Sequence, residues 1–434
     1  MSENAIETLA QATGYLEGLI NRERQTNYSY CRLDLEPIRA LLDAVGRPQD
    51  ELSIIHVAGS KGKGSTCLFA ESILLELGEH VGTFTSPHLV SWVERFRIDG
   101  VSVDEATLVS AVERVRPIVQ ALRAGPRETL PSFFDATTAV ALLIFAHAGV
   151  DRVLLEVGLG GRLDSTNIVS PVVTCVTSIE LEHTDKLGET EAEIAGEKAG
   201  ILKPGVPAIV GWLRPEALRV VKSRSAEVGA PIICMAESPE VALPKLGSPG
   251  DAAAQNAVLA LGCVRALGVY PKDELNAAAE RGLSGCRLPG RIEVLEADPR
   301  VVVDGAHTAQ SARLLAESLR EIAPGGFELL ISVSEDKQLE SLLRPLLAEA
   351  DRVWVTKADS TRSLPEDQLA KQVETLLSDL GRPVPIDTVP DPRVAATRAR
   401  SELAEGKMLC ATGSMYLAGV ARDVLLPRSA SVDG

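Results

Sequence analysis

Aromatic residues and long apolar runs are scarce in this chain of 434 residues, and each scarcity excludes a class of protein. Phe, Trp and Tyr make up only 3% although hydrophobic residues reach 45%, so the core must be built from Leu, Val, Ile and Ala. No run approaches the roughly 18 apolar residues of a membrane-spanning helix. The acidic start, with Glu3 and Glu7, contains no apolar segment typical of a secretory signal. We therefore expect a cytoplasmic protein with no membrane partner.

The cysteines are few and scattered, at positions 31, 67, 175, 234, 263, 286 and 410, and none forms a C-x-x-C pair. An odd number at such spacing argues against a disulfide framework and against a zinc site. It favours buried thiols in a reducing compartment.

Basic residues are outnumbered, because 44 Lys and Arg face 60 Asp and Glu and give a net charge of −16. A chain this acidic is a poor candidate for binding nucleic acid or anionic membranes. An anionic small-molecule substrate would therefore need a local basic site.

Short apolar runs alternate with helix-like stretches after a mostly helical start at 5–47, which a polar segment at 21–30 interrupts. Strands are predicted at 53–58, 81–85, 152–157, 172–178, 206–210 and 231–235, with helices such as 65–77, 135–148 and 191–199 between them. Apolar strands separated by helices indicate a mostly parallel sheet covered on both faces. The length allows two or three domains.

A second α/β series follows, with strands predicted at 291–296, 300–303, 328–333, 352–356 and 408–411. Gly, Pro and Cys interrupt the pattern at Leu283–Arg291, where we place a boundary. The expected domains are residues 1–285 and 286–434.

The strongest local signal is the glycine-rich sequence HVAGSKGKGST, His56–Thr66, which follows an apolar strand and precedes a helix. Glycines let backbone N–H groups point at phosphate oxygens, and the helix N-terminus adds favourable electrostatics. Lys63 would neutralise phosphate charge, and Ser65 would place a hydroxyl on Mg²⁺. The spacing is G-x-x-G-K-G-[ST] rather than the strict G-x-x-x-x-G-K-[ST], so a structural glycine turn is the alternative interpretation.

A carboxylate, Glu156, ends the very apolar strand RVLLEV. The carboxyl end of a central parallel strand is where ligands bind in open α/β sheets. A lone buried carboxylate is costly, and Mg²⁺, which prefers hard oxygen ligands, is its natural partner. A structural ion pair is the alternative. The following GLGG run is not a dinucleotide fingerprint, because Leu163 stands where the third glycine is needed.

The variant loop resembles the ATP loop of the Mur ligase superfamily, and further blocks are similar to its folylpolyglutamate synthase/dihydrofolate synthase branch. They are TSPHLVSWVERFRIDG at 85–100, LLEVGLGGRLDSTNIV at 154–169, TSIELEHTDKLG and GEKAGILKPG within 177–205, LPGRIEVL and VVVDGAHT within 288–308, and CATGSMYLAG at 410–419. The resemblance implies an α/β fold: a P-loop Mur-ligase-type domain with a mostly parallel sheet, plus a smaller Rossmann-like C-terminal domain.

The reaction implied by this resemblance is ATP-dependent ligation in a cleft between the domains. The γ-phosphate passes to a carboxylate of dihydropteroate or a reduced folate, and the amine of L-glutamate then attacks the acyl phosphate. Three alternatives remain: a Mur-type ligase for another carboxylic acid, a P-loop kinase or NTPase that needs no amino acid, and a non-catalytic ATP-binding protein. The last would be expected to lose Lys63, Glu156 or His183. Small-molecule substrates are the expected partners, and a monomer is expected.

The resemblance also assigns roles to individual residues. Those implied to bind ATP are Gly59, Ser60, Lys61, Gly62, Lys63, Gly64, Ser65, Thr66, Asn256, Arg291 and Asp304. Those implied to bind Mg²⁺ are Ser65, Ser86, Glu156 and His183. Those implied to be catalytic are Lys63, Glu156, His183 and Lys198. Those implied to contact the substrates are Asp164, His307 and Ser414.

Carbamylation is implied for Lys198 and would turn a cation into an anion that can bind metal. ATP and Mg²⁺ are the expected cofactors, with a monovalent cation as a further candidate. Lys337 resembles part of a D-K-D motif. The sequence departs from the family's usual pattern at Glu182, where Asp is more common, and this change preserves the charge.

Overall fold

The structure, a computed structural model, describes residues 5–20, 33–125, 130–237, 246, 250–295, 300–335, 339–359 and 362–426. The chain divides into two compact units. Unit 1 comprises Met1–Gly247 and Ala253–Cys286, and unit 2 comprises Ser248–Ala252 and Arg287–Gly434. In the part of the chain that is described, no helix is long and apolar enough to cross a membrane.

Unit 1 is built on an eight-stranded sheet in the order β4-β3-β2-β5-β1-β6-β7-β8. Its strands are β1 Ile54–Ala58, β2 Val81–Phe84, β3 Phe96–Ile98, β4 Val101–Ser102, β5 Arg152–Glu156, β6 Val173–Val176, β7 Ala208–Val210 and β8 Ile232–Cys234. The six strands from β2 to β8 in this order are parallel, and β3 and β4 form an antiparallel edge. The expected mostly parallel sheet is therefore confirmed.

Helices precede, connect and follow these strands. They are α1 Leu9–Glu17, α2 Glu36–Ala44, α3 Lys63–Glu76, α4 Glu105–Arg123, α5 Phe133–Ala148, α6 Thr184–Leu187, α7 Glu191–Lys198, α8 Pro215–Val228, α9 Asp251–Ala266 and α10 Lys272–Gly285. The apolar helix α5 is buried along most of its length. It begins with a Ser132–Asp135 capping box and ends at Gly149, whose φ of +68° suits glycine.

Unit 2 is a smaller α/β unit with a six-stranded sheet in the order β13-β12-β11-β14-β10-β9. Its strands are β9 Glu293–Leu295, β10 Val301–Val303, β11 Phe327–Ile331, β12 Arg352–Val355, β13 Ile386–Thr388 and β14 Met408–Thr412. Only the edge strand β9 is antiparallel to its neighbour among these pairs. Its helices are α11 Ala309–Ile322, α12 Leu339–Leu347, α13 Glu366–Asp379, α14 Pro392–Ser401 and α15 Met415–Leu425.

Candidate active site

The glycine-rich loop lies between the buried central strand β1 and helix α3, at the carboxyl end of the sheet in unit 1. It is tied to the segment that follows the neighbouring strand β6. The backbone N–H of Ser60 donates to the carbonyl oxygen of Ser178 at 2.8 Å, and that of Lys61 donates to the Ser178 hydroxyl at 2.9 Å. The Thr177 hydroxyl donates to the carbonyl oxygen of Lys61 at 2.6 Å. These bonds hold the loop against the segment that follows β6.

Two of the loop glycines are required by their backbone conformation and by their neighbours. Gly59 has φ +152° and Gly62 has φ +84°, which side chains rarely adopt. A Cβ on Gly59 would overlap the Thr177 hydroxyl, and one on Gly62 would overlap the side-chain oxygen of Asn256. The structure therefore brings Asn256 of α9, which was predicted to bind nucleotide, directly against the loop.

Glu156, at the end of β5, lies over the first turn of α3. Its side chain is buried, and a Cβ on Gly64 would lie 3.3 Å from its Oε2. The same oxygen accepts the backbone N–H of Ser86 at 2.9 Å. Glu156, Ser86 and the loop are thus brought together; the strand-end argument points to Glu156, and the resemblance points to Ser86.

A cluster of lysines surrounds the carbonyl oxygen of Gly59 and the carboxylate of Glu182. The Nζ atoms of Lys63 and Lys198 each donate to the Gly59 carbonyl at 3.0 Å. Lys198 also donates to Oε1 of Glu182 at 3.0 Å, and Lys61 Nζ lies 3.8 Å from Oε2 of that carboxylate. Three lysines thus form a local basic cluster in this otherwise acidic chain.

Burial sets the protonation of this cluster. The Lys198 side chain is only 2% exposed, and desolvation lowers its pKa to about 8. Burial opposes ionisation of Glu182, yet the neighbouring lysines, Lys198 first, lower the pKa of this carboxyl below its usual value. The amine of Lys198 can therefore lose its proton at moderate pH, while Glu182 stays ionised.

Asp164 anchors the GLGG segment from inside the protein. Its carboxylate accepts the backbone N–H groups of Leu159 at 2.9 Å and Thr166 at 3.0 Å, and also the Thr166 hydroxyl. Desolvation raises its pKa. Nε2 of His56 lies 2.9 Å from the Thr166 hydroxyl oxygen and completes a buried chain of polar groups. These contacts fix the loop; the role of Asp164 toward substrate stays a prediction.

The remaining predicted metal and phosphate residues of unit 1 are less tightly grouped. Ser65 is half-buried in the first turn of α3, whereas Thr66 is buried and its hydroxyl has no hydrogen-bond partner in the part of the chain that is described. His183 is exposed, has φ +46° and occupies the N-cap position of the short helix α6. The structure does not join its ring to Glu156 through any described contact.

The donor set suits Mg²⁺ bound together with a nucleotide. Among the described residues, no group of three or more His, Cys, Asp or Glu is placed to hold a metal. Mg²⁺ in phosphate-transfer sites is held by one or two carboxylates, substrate phosphates and waters rather than by an all-protein cage. One buried carboxylate, Glu156, beside a phosphate-type loop matches that arrangement.

In unit 2, the predicted residues lie at the carboxyl ends of β10 and β14. Asp304 follows β10 and is buried, and its carboxylate accepts the backbone N–H groups of Ile292 and Ala306, each at 2.7 Å. His307 Nδ1 lies 2.8 Å from the carbonyl oxygen of Gly305, which requires the proton on Nδ1.

Arg291 is exposed, whereas Ser414 is buried and caps α15 by accepting the Leu417 N–H at 3.1 Å. Met415 follows Ser414, and its Sδ lies 2.9 Å from Nη1 of Arg291. Lys337 lies outside the described residues.

Three contributors were not singled out from the sequence: Glu182 as a partner of lysines, the Thr177–Ser178 segment, and Met415. A signal existed for the first two, because they follow β6, the strand next to β1, and the ends of adjacent parallel strands meet at one edge. Met415 carries no such signal, since methionine after a buried strand is ordinary core material.

Comparison with known proteins places the chain in a family. The model of the Mur ligase glutamate ligase domain matches residues 290–415. The dihydrofolate synthase/folylpolyglutamate synthase of Bacillus subtilis is 32% identical over 406 residues, which cover 87% of this chain and 92% of that protein.

Two solved structures match nearly the whole chain. The folylpolyglutamate synthase of Mycobacterium tuberculosis complexed with ADP has a TM-score of 0.83 at 30% identity and covers 97% of this chain and 98% of that one. The bifunctional enzyme of Yersinia pestis c092, complexed with AMPPNP and a Mn ion, has a TM-score of 0.81 at 30% identity and covers 98% and 100%. This chain therefore belongs to the folylpolyglutamate synthase/dihydrofolate synthase family of Mur-type ligases.

Proposed function

We propose that this protein is an ATP-dependent ligase that joins L-glutamate to dihydropteroate, to a reduced folate or to both, through an acyl phosphate. The observation that carries the proposal is the glycine-rich loop of unit 1, where Lys63 and Lys198 meet at the Gly59 carbonyl and the buried carboxylate Glu156 lies against Gly64. Relatives that match nearly all of the chain carry this activity in their names and bind ADP, AMPPNP and Mn.

The loop would bind the polyphosphate of ATP. The N–H groups of Ser60 and Lys61 already bond to Ser178, so the N–H groups at the start of α3, from its N-cap Gly62 onward, would bind the phosphate oxygens with favourable helix electrostatics. Lys63 now donates to the Gly59 carbonyl, and we propose that it turns to the phosphates when ATP binds. In unit 2, Arg291 is the exposed cation proposed to contact phosphate, and Asp304 is proposed to belong to the same nucleotide site, either by accepting from the ribose or by acting through Arg291.

Glu156, Ser65, Ser86 and His183 would hold the divalent cation. When bound, this ion would neutralise charge on the transferring phosphoryl group. The protein's own task is then to position reactants: the acid oxygen attacks the γ-phosphorus, ADP leaves, the glutamate amine attacks the acyl carbon, and phosphate leaves. The substrate contacts in this proposal are Asp164, His307 and Ser414.

We also propose that Lys198 is carbamylated in the active enzyme. The neutral amine attacks the carbon of CO₂, a C–N bond forms, one C=O bond becomes C–O⁻, and the amine proton goes to solvent. Desolvation supports the step, because only the neutral amine reacts and the pKa of Lys198 is lowered to about 8. ¹³C-bicarbonate labelling with NMR, and mass spectrometry of the intact site, test it. An unmodified amine in a fully active preparation would refute it.

The same proposal includes a monomer that acts in the cytoplasm, with 1–285 as the ATP-binding domain and 286–434 as the glutamate ligase domain. A monovalent cation requirement is tested by replacing potassium with a bulky organic cation in the activity assay.

The central experiment measures ADP release by the purified protein with Mg·ATP. Dihydropteroate, tetrahydrofolate and L-glutamate are added separately and together, and the masses of the products are determined by mass spectrometry. ADP release that requires both an acid and glutamate, with a product heavier by one glutamyl group, supports the ligase and identifies the acid. ADP release without glutamate would point to a kinase or NTPase. Intact ATP binding without turnover on either acid would point to a Mur-type ligase for another carboxylic acid.

The loop assignment is tested by Lys63→Ala. We expect turnover to be abolished while the thermal unfolding midpoint stays near that of the wild type, because Lys63 is half-buried and makes one described bond, to the Gly59 carbonyl. Lys272→Ala, at the exposed start of α10, is the matched control and should retain activity. A folded Lys63→Ala protein with normal turnover would contradict the assignment.

A further inference from the structure

The residue after Arg291 has an unusual backbone. Ile292 has φ +44°, and it is the only residue other than glycine with a positive φ in the described part of unit 2. A β-branched residue is a poor choice for this region of φ/ψ space, since its Cβ crowds the neighbouring carbonyl oxygen. Strain of this kind persists only where the surroundings enforce it, and it clusters at functional sites.

Two carboxylates enforce the conformation, one on each side of Arg291. Ile292 donates its backbone N–H to Oδ2 of Asp304 at 2.7 Å. Gly290 donates its backbone N–H to Oε2 of Glu293 at 2.8 Å, and Glu293 is itself held by Arg422 at 2.9 and 3.0 Å. Both carboxylates are buried. The backbone is therefore held on both sides of Arg291, at Gly290 by Glu293 and at Ile292 by Asp304.

The guanidinium of Arg291 is held by the Gly290 carbonyl and by the sulfur of Met415. Its Nη1 donates to the Gly290 carbonyl at 2.9 Å and to Sδ of Met415 at 2.9 Å. Gly305 leaves room for it, because a Cβ there would lie 2.8 Å from Nη1 and would overlap the Met415 sulfur. Gly305 is joined to the same turn, since its N–H donates to the Gly290 carbonyl at 2.9 Å. An exposed cation is thus held in place at the surface.

We infer that Asp304 is a positioning residue for Arg291: it holds Ile292 in the left-handed conformation and thereby aims the guanidinium at the nucleotide phosphates. This inference rests on the proposed function, in which Arg291 contacts phosphate. It differs from a direct contact between Asp304 and the ribose, which is the competing role. The two roles make opposite predictions for nucleotide binding.

The test is a double-mutant cycle on the Kd of Mg·ADP, measured by isothermal titration calorimetry on the full chain. Asp304→Asn should weaken binding about tenfold alone but less than about twofold in the Arg291→Ala background, because residues that act as a unit are non-additive. Additive losses would overturn the inference. Repeating the cycle with 2′-deoxy-ADP and 3′-deoxy-ADP separates the roles: a penalty that vanishes with either analogue identifies a ribose contact and also overturns it.

A second substitution that restores nucleotide affinity would distinguish the positioning role from simple damage to the fold. Ile292→Gly in the Asp304→Asn background should restore most of the lost affinity, since glycine adopts this φ without a carboxylate to enforce it. No recovery would count against the inference. Asp391→Asn is the matched control, because this aspartate also accepts two backbone N–H groups, at the start of α14. It should leave the Kd unchanged.

A second variant covers the case in which Asp304→Asn does not fold. Gly305→Ala leaves Asp304 intact but displaces the guanidinium, so it should weaken Mg·ADP binding in the wild type and not in Arg291→Ala. An equal effect in both backgrounds would overturn the inference. If Arg291→Ala itself binds Mg·ADP like the wild type, both the positioning inference and the proposed phosphate contact fail. If Arg291→Ala is weakened but the cycle is additive, only the positioning inference fails.

Discussion

Replacing Lys198 with methionine is expected to stabilise unit 1 at neutral pH while abolishing ligase activity. The Lys198 side chain is 2% exposed, and desolvation lowers its pKa from 10.5 to about 8, although the carboxylate of Glu182 opposes this change. The gap between the two values means that the charged amine destabilises the folded state by roughly 3 kcal/mol. Methionine has a similar length and no charge, so it should recover much of that free energy.

The pH dependence of stability provides the signature. Because the folded pKa of Lys198 lies below the unfolded value, the unfolded chain binds more protons between about pH 8 and 10.5. The contribution of this group to the free energy of unfolding therefore rises with pH between these two values in the wild type. Below about pH 8, the charged amine destabilises the folded state by the full amount. The Lys198→Met variant lacks this contribution, so its advantage should shrink as the pH rises.

Thermal unfolding in CO₂-free buffer measures both effects. For a unit of this size, roughly 3 kcal/mol corresponds to a rise in Tm of about 5 °C at pH 7. The exposed-site control Lys272→Met should change the Tm little. Bicarbonate should raise the Tm of the wild type alone, since CO₂ would bind the folded amine. A Lys198→Met protein less stable than the wild type at pH 7 would refute the reasoning and show that the ion pair with Glu182 outweighs desolvation.

Three further predictions concern buried groups of unit 1. Burial lowers the pKa of His56 to about 3, so the free energy of unfolding should rise with pH from about 3 to 6.5. His56→Gln should weaken this pH dependence and lower the pH at which acid unfolds the protein; an unchanged acid midpoint would contradict this. Gly161→Ala places a Cβ 2.8 Å from the backbone oxygen of Glu197. We expect the free energy of unfolding, measured with urea, to fall by about 1–3 kcal/mol and turnover to decrease. Wild-type values would show that the backbone can shift to relieve this contact. Glu71→Gln removes the charge partner of Arg97, whose Nη2 lies 3.1 Å from Oε2 in a largely buried pair; we expect a loss of about 3 kcal/mol, and equal stability would rule out a structural role for the pair.

The central strands could be predicted from the sequence because they are long, continuously apolar and buried on both faces. Strands β1 and β5 are five residues each and lie inside the predicted runs. The edge strands β3 and β4 were not predicted, since two or three half-exposed residues carry no periodic signal. Helix α10 runs to Gly285, into the stretch in which we place the boundary, because Gly282 packs closely against Ser72 of α3 and this tertiary contact overrides the low helix propensity of glycine.

The site was partly predictable for a similar reason. A glycine-rich turn after a strand and a carboxylate at a strand end are local patterns, and the structure places Glu156 over Gly64 as those patterns indicate. The position of Lys198 could not be derived in this way. It lies 139 residues from Gly59 in a stretch that resembles a surface helix, and only the family resemblance pointed to it. The strain at Ile292 was invisible, because nothing in its type suggests a left-handed backbone.

The charges around Gly59 connect carbamylation to metal binding under the proposed function. In the unmodified protein, Glu182 pairs with Lys198, and Lys61 lies within reach of its other oxygen. Carbamylation would change Lys198 from a cation to an anion beside that carboxylate, in a site with little solvent to screen the repulsion. Lys61 can shift toward Glu182, but the new anion still needs a cation of its own. The divalent ion of the proposed function would supply it, so carbamate and metal should bind cooperatively, each raising the affinity of the other by the same factor.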